Sequence, residues 1–135
     1  MSATRLLLIP ALVLSLAGVA CGDEEPTPSS EGEGAVDVEA TAENIDGLLD
    51  DVLEAYQDGD AEEASELAAE AYLENYELIE HDVEEADEEL NEELELLLGA
   101  ELRRQIDEGA SADEIEAMIE DARDLLEEAV AAVES

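Results

Sequence analysis

Five side chains in the middle of the sequence have the types and the spacing for cation chemistry. Glu70, Glu74, Glu77, His81 and Glu84 follow one another at intervals of 4, 3, 4 and 3, which on a helix puts them on one face, and Glu80 adjoins that face to complete Glu77-x-x-Glu80. Carboxylate oxygens suit hard cations such as Fe³⁺, Mn²⁺ or Ca²⁺, and one imidazole among them shifts the preference toward a transition metal. The candidate metal ligands are therefore Glu74, Glu77, Glu80, His81 and Glu84, with Tyr72 or Tyr76 as phenolate donors to ferric iron or as core residues. The competing reading is a solvated face: with 42 Asp plus Glu in 135 residues, acid pairs at i+3 and i+4 arise throughout by chance.

Other chemistries find no support. His81 is the only histidine and Cys21 the only cysteine, which excludes a zinc site built of Cys and His. No nucleophile elbow, phosphate-cradling glycine loop or dinucleotide fingerprint occurs, so an enzyme is not expected. The 42 acids face only four arginines and no lysine, a formal net charge of −38 that repels nucleic acid and anionic headgroups alike. With so little internal countercharge, salt must supply it: the screening length is roughly 8 Å at 0.15 M and roughly 3 Å at 1 M. The composition is like that of proteins in a saline medium, although GC-rich coding also depletes lysine.

Cys21 closes a different kind of segment. Arg5 and the free amine form a positive start, residues 6–17 are almost wholly apolar, and Pro10 and Ser15 interrupt them. The stretch is shorter than the roughly 20 residues that span a bilayer and reads as a cleaved signal peptide over residues 1–20. Ala17-Gly18-Val19-Ala20-Cys21 resembles the lipobox of prokaryotic lipoproteins, whose cysteine is lipidated and becomes the new N-terminus; Gly18 stands where that box usually has Leu, Val or Ile. The resemblance implies an extracytoplasmic protein held to the cell membrane through lipid on Cys21. The alternative is an ordinary signal peptide cut near Ala20, leaving a free thiol with no disulfide partner in the chain.

Residues 21–43 hold Pro26, Pro28, several glycines and acids and no sustained apolar period, and are expected to form a disordered tether. From Asn44 the pattern turns helical. Ile45, Leu48, Leu49, Val52, Leu53 and Tyr56 make one stripe; Gly59 suits the residue past a helix end and Asp60 a cap for the next. A second helix is expected to turn Ala64, Leu67, Ala68, Ala71, Leu78 and Ile79 inward, broadened by Tyr72, Leu73 and Tyr76. No Gly or Pro divides residues 60–98, and Asp87 is the best cap for a third helix carrying Leu90, Leu94, Leu97, Leu98, Leu102 and Ile106. Gly109 ends it, and Ser111-Ala112-Asp113-Glu114 is a capping box opening a fourth helix, with Ile115, Met118, Ile119, Ala122, Leu125, Leu126, Ala129 and Val133 inward. No Phe or Trp and abundant Leu and Ala suit a small helical core. The fold expected for residues 44–135 is all-α, an antiparallel up-down four-helix bundle. A pair of helical repeat hairpins is the other option, since Ala55-Tyr56, Gly59-Asp60 and Ala71-Tyr72 also resemble tetratricopeptide phrasing; only one such phrase occurs.

The run Ala55-Tyr56-Gln57-Asp58-Gly59-Asp60, followed by Leu67-Ala68-Ala69-Glu70-Ala71-Tyr72-Leu73-Glu74-Asn75-Tyr76-Glu77-Leu78-Ile79-Glu80, resembles the extracytoplasmic helical domain attached to prokaryotic high-affinity iron permeases. That domain shows Ala-Tyr, a Gly-Asp turn, a second Ala-Tyr, an aromatic followed by Glu-x-x-Glu, and an Ala-Asp step into the next helix. Tyr76, Glu77, Glu80 and Ala86-Asp87 fill those places, and the likeness covers about residues 45 to 132. It implies a lipid-tethered relative of the accessory domain, with Glu77 and Glu80 as ligands for an iron ion and a membrane iron permease as partner. The permeases' own Arg-Glu-x-x-Glu ligands have no counterpart in this sequence.

Overall fold

The computed structural model describes residues 36–135. The expected signal peptide, Cys21 and most of the expected tether lie outside them. Among the described residues four helices and no strand occur, joined by very short links. Helix α1 is Val38–Asp58. Helix α2 covers residues 61–86, as Ala61–Glu70, a π-helical stretch Ala71–Tyr76 and Glu77–Ala86. Helix α3 covers residues 88–108, as Glu88–Leu96, a π-helical stretch Leu97–Glu101 and Leu102–Glu108. Helix α4 is Ala112–Val133. Links of one to three residues force each helix to run back along its predecessor, and α1 packs on both α2 and α4 while α3 packs on both α2 and α4. The architecture is an all-α four-helix bundle, and no helix among the described residues is long and apolar enough to cross a membrane.

The caps follow from the sequence. Gly59 and Gly109 take the left-handed conformation, φ 88° and 74°, where a Cβ would be strained. Asp60 accepts from the Glu63 amide and Asp87 from the Leu90 amide, both at 3.1 Å, so each starts its helix. Ser111 and Glu114 form the full capping box: the Ser111 amide donates to Glu114 Oε2 at 2.8 Å and the Glu114 amide to Ser111 Oγ at 3.3 Å. The Ser111 hydroxyl also donates to Glu114 Oε2 at 2.7 Å, and this bond, with that from the Ser111 amide, lowers the Glu114 carboxyl below its ordinary pKa.

Two expectations need correction. Helix α1 begins at Val38, not Asn44, because Asp37 caps it by accepting from the Ala40 amide and because Thr41 is buried and Val38 packs against the core, extending the Ile45 stripe backward. Residues 38–43 are therefore helix and not tether. The inward face of α2 also differs. Leu73 and Leu78, expected inside, are 51% and 55% exposed, while Tyr76, Ile79 and Val83 are fully buried. The π-helical stretch explains both, since it contains one extra residue per turn. Ala64, Ala68 and Ala71 keep the α-helical spacing, the next buried position is five residues on at Tyr76, and Ile79 and Val83 resume the ordinary interval from there. Backbone bonds mark the widening: the Glu77 amide donates to the Tyr72 carbonyl and the Leu102 amide to the Leu97 carbonyl, each five residues back. Asn75 Nδ2 donates to the Glu70 carbonyl at 3.2 Å, supplying a donor where the ladder slips out of step.

Candidate functional site

The two π-helical stretches sit against each other across the α2–α3 contact, and the unusual polar groups of the bundle gather beside them. Tyr76 is the largest fully buried side chain. Its hydroxyl donates to Asn91 Oδ1 at 2.6 Å, and Asn91 is itself buried at a position that the Leu90–Leu94–Leu98 spacing turns inward. A buried hydroxyl and a buried amide thus satisfy each other inside an apolar core, where either alone would cost about 1–3 kcal/mol. Tyr72 stacks on Tyr76 with ring centroids 6.0 Å apart, and its ring lies over Gly99. A Cβ at position 99 would stand 3.1 Å from the Tyr72 Cζ, so the widened α3 offers the one residue type that admits this ring without displacement.

Glu80 on α2 meets Glu95 on α3 beside the two tyrosines. Partial burial, followed by the charges of Glu95, Glu77 and Glu84, raises the Glu80 pKa above the ordinary carboxylate value, and a side-chain hydrogen bond between Glu80 and Glu95 raises it further. Burial, with the charges of Glu80 and Glu95 behind it, also raises both tyrosine pKa values, that of Tyr76 well beyond its ordinary range. Both phenols are held protonated, and Tyr76 acts as a structural donor to Asn91.

The five expected ligands do not converge. Among the described residues no group of three or more His, Cys, Asp or Glu side chains comes together in a way that could hold a metal ion. Glu74, Glu77 and Glu84 are exposed on α2, and only Glu80 is half-buried. His81 is 78% exposed and faces its own helix, with Nδ1 3.9 Å from Glu84 and Nε2 3.8 Å from Glu85. A stripe on a single straight helix points its side chains outward in parallel, whereas a closed coordination shell needs donors from more than one element. The partner that α3 does supply, Glu95, is absent from the expected set. It belongs to the run of acids from Glu88 to Glu95, and nothing in its own spacing distinguishes it from Glu92 or Glu93. Asn91 carried a readable signal, a polar residue in an apolar period.

Countercharge sits elsewhere. Arg123 on α4 bonds through Nε to Asp46 and through Nη2 to Asp50 on α1. Burial would lower its pKa, but those bonds outweigh it and keep the guanidinium charged. Arg104 lies 3.7 Å from Glu101 and 4.0 Å from Glu108 on its own helix. Neither arginine lies among the groups that act on Glu80. Compared with protein-family models, with curated proteins and with solved structures, the chain matches none. The likeness to the iron-permease domain accordingly rests on the motif residues themselves.

Proposed function

We propose that this chain is a membrane-tethered extracytoplasmic lipoprotein whose helical domain is a non-catalytic accessory module that takes up and passes on a hard cation, iron, beside a membrane permease. The observation that carries the reading is the Glu80–Glu95 pair: two neighbouring carboxyls from different helices, of which Glu80 is partly buried. A cation can bridge oxygens that otherwise repel. Two carboxylates make a weak and open site, which suits a cargo handed onward better than one stored. The tether at Cys21 and the resemblance of residues 45 to 132 to the permease-associated domain supply the location and the partner class in this reading.

The test compares Fe³⁺, presented as a soluble chelate in high salt, with equal Mg²⁺. A site that is destabilising when empty is stabilised by its ligand, so Fe³⁺ should raise the melting temperature more than Mg²⁺ does. The Glu80→Gln/Glu95→Gln double variant should lose the difference, while Glu127→Gln/Glu128→Gln, altered on the exposed outer face of α4, should keep it. An unchanged Fe³⁺ response in the first variant rejects the site.

A second reading rests on the outward, separate placement of Glu74, Glu77, His81 and Glu84: a scaffold or interaction module whose acidity is solvation in a saline medium. Uniform, weak binding of every divalent ion, insensitive to both double variants, favours it.

A further inference from the structure

Leu96 is the most exposed large apolar side chain of the described residues, at 56%, and it stands between two shallow grooves. One, of about 420 Å³, lies between α3 and α4 and has Leu97 and Leu125 in its floor. The other, of about 460 Å³, is lined by Tyr72, Gly99 and Ala100, at the place where the α3 π-helical stretch brings Gly99 under the tyrosine ring. Together they form an apolar strip along α3 with Leu96 as its ridge. Among the described residues, exposed leucine is otherwise confined to Leu73 and Leu78 on α2, which line neither groove.

The rim of this strip is wholly acidic. Glu93, Glu101, Asp121 and Asp124 border the first groove, and Glu92 and Glu95 the second. Among the described residues, Glu101 alone of these acids has a cationic neighbour, Arg104. The other grooves differ: those containing Arg103 and Arg123 each carry their own cation, and the groove between α1 and α2 has only Ala55 and Leu67 as apolar lining. Among these grooves of the described residues, apolar floor and uncompensated negative rim coincide along α3.

We infer that the Leu96 strip is a docking surface for an amphipathic helix of a partner protein whose apolar face is flanked by Lys and Arg. Such a helix would lay its i, i+3, i+4, i+7 side chains into the two grooves astride Leu96 while its flanking cations meet Glu92, Glu93, Asp121 and Asp124. The charges steer the encounter and set the partner's sign, and the burial of apolar surface gives the complex its lifetime. A second copy of this chain would bring a like charge to the same place and is disfavoured.

The probe is an 18-residue Leu/Lys peptide with Leu at helical spacing, titrated into the full-length chain and followed by amide chemical shifts, against a scrambled peptide of identical composition. The ordered peptide should bind at least tenfold more tightly, with shifts concentrated in residues 92–101 and 121–125. Leu96→Glu should weaken it at least fivefold although the substitution adds a charge attractive to lysine; Leu78→Glu should not weaken it. Circular dichroism shows whether each variant keeps its helix. Equal binding of the scramble, shifts spread over the whole surface, or undiminished affinity of a folded Leu96→Glu variant overturns the proposal. So does equal binding of an uncharged Leu/Ser analogue, or concentration-dependent shifts at 92–101 without peptide, which would make a second copy the occupant.

Discussion

The two sides of this bundle handle the same excess of acid in opposite ways. Along α1 and α4 the helices are uninterrupted α-helices, and the guanidinium of Arg123 ties Asp46 and Asp50 across the contact. Along α2 and α3 both helices widen, a Tyr–Asn bond enters the core, and Glu80 and Glu95 meet with no arginine among the groups that act on Glu80. The first side is an ordinary structural solution in which a cation from one helix compensates acids on the next. The second leaves its compensation to a proton or to something supplied from outside, and π-helical interruptions are enriched at functional sites. Irregular backbone and the buried Tyr76–Asn91 bond thus fall on one contact, which is where a function for this domain should be sought.

Chain deletions separate the two sides most sharply. Removing Leu73, an exposed residue inside the α2 π-helical stretch, returns the spacing from Ala71 to Tyr76 to four residues and lets α2 continue as a regular helix with every later residue still inward. Cooperative unfolding should survive, with the melting temperature lowered by at most several degrees. Removing Gly47, equally exposed but inside the regular α1, rotates Val38, Thr41 and Ile45 about 100° away from Leu49 and Val52 and should abolish cooperative unfolding. Equal damage from both deletions would mean that the widened turn is itself required for the fold.

Next in size is the Tyr76–Asn91 bond. Tyr76→Phe keeps the ring and leaves Asn91 Oδ1 buried without its donor, so denaturant unfolding should show a loss of about 1–3 kcal/mol. Adding Asn91→Leu should recover much of it, because the pair is then replaced by apolar groups. No recovery would show that Asn91 has a further role. On the other side, Arg123→Ala should cost about 1 kcal/mol or less at low salt and nearly nothing in molar salt, since its partners are exposed. A larger, salt-insensitive loss would mean that packing of the Arg123 stem, and not its charge, joins α1 to α4.

The smallest effect concerns protons. Glu80 has a raised pKa, so between the ordinary carboxylate value and its own the folded state binds more protons than the unfolded chain, and stability falls as pH rises through that window. Glu114, lowered by its cap, acts oppositely: its contribution is present above the ordinary carboxylate value and disappears as pH falls through its own. The melting temperature of Glu80→Gln should therefore decline less between mildly acidic and neutral pH than that of the parent. Parallel curves would assign the decline to the overall negative charge and not to the Glu80–Glu95 contact.

The linear sequence determined the number of helices, their order and nearly all their ends, because those depend on neighbours within four residues: glycine past a helix end, Asp60, Asp87 and Ser111 as caps, leucine at the helical period. It also determined the excess of carboxylates and the scarcity of cations to meet them. The start of α1 was legible in part, in Asp37 and Thr41, but the acids and glycines just before them hid it. Tertiary structure alone decided the phase of α2. A local period cannot announce a turn of five residues, since the extra residue is stabilised by burying Tyr76 against Asn91 and by the Tyr72 ring on Gly99, both contacts with α3. It likewise chose Glu95, from a run of equivalent acids, as the neighbour of Glu80, and turned His81 outward. Caps and stripes are local interactions and can be read from residue order; which two carboxyls meet depends on how two helices face each other, and that is set by the packing of the whole bundle.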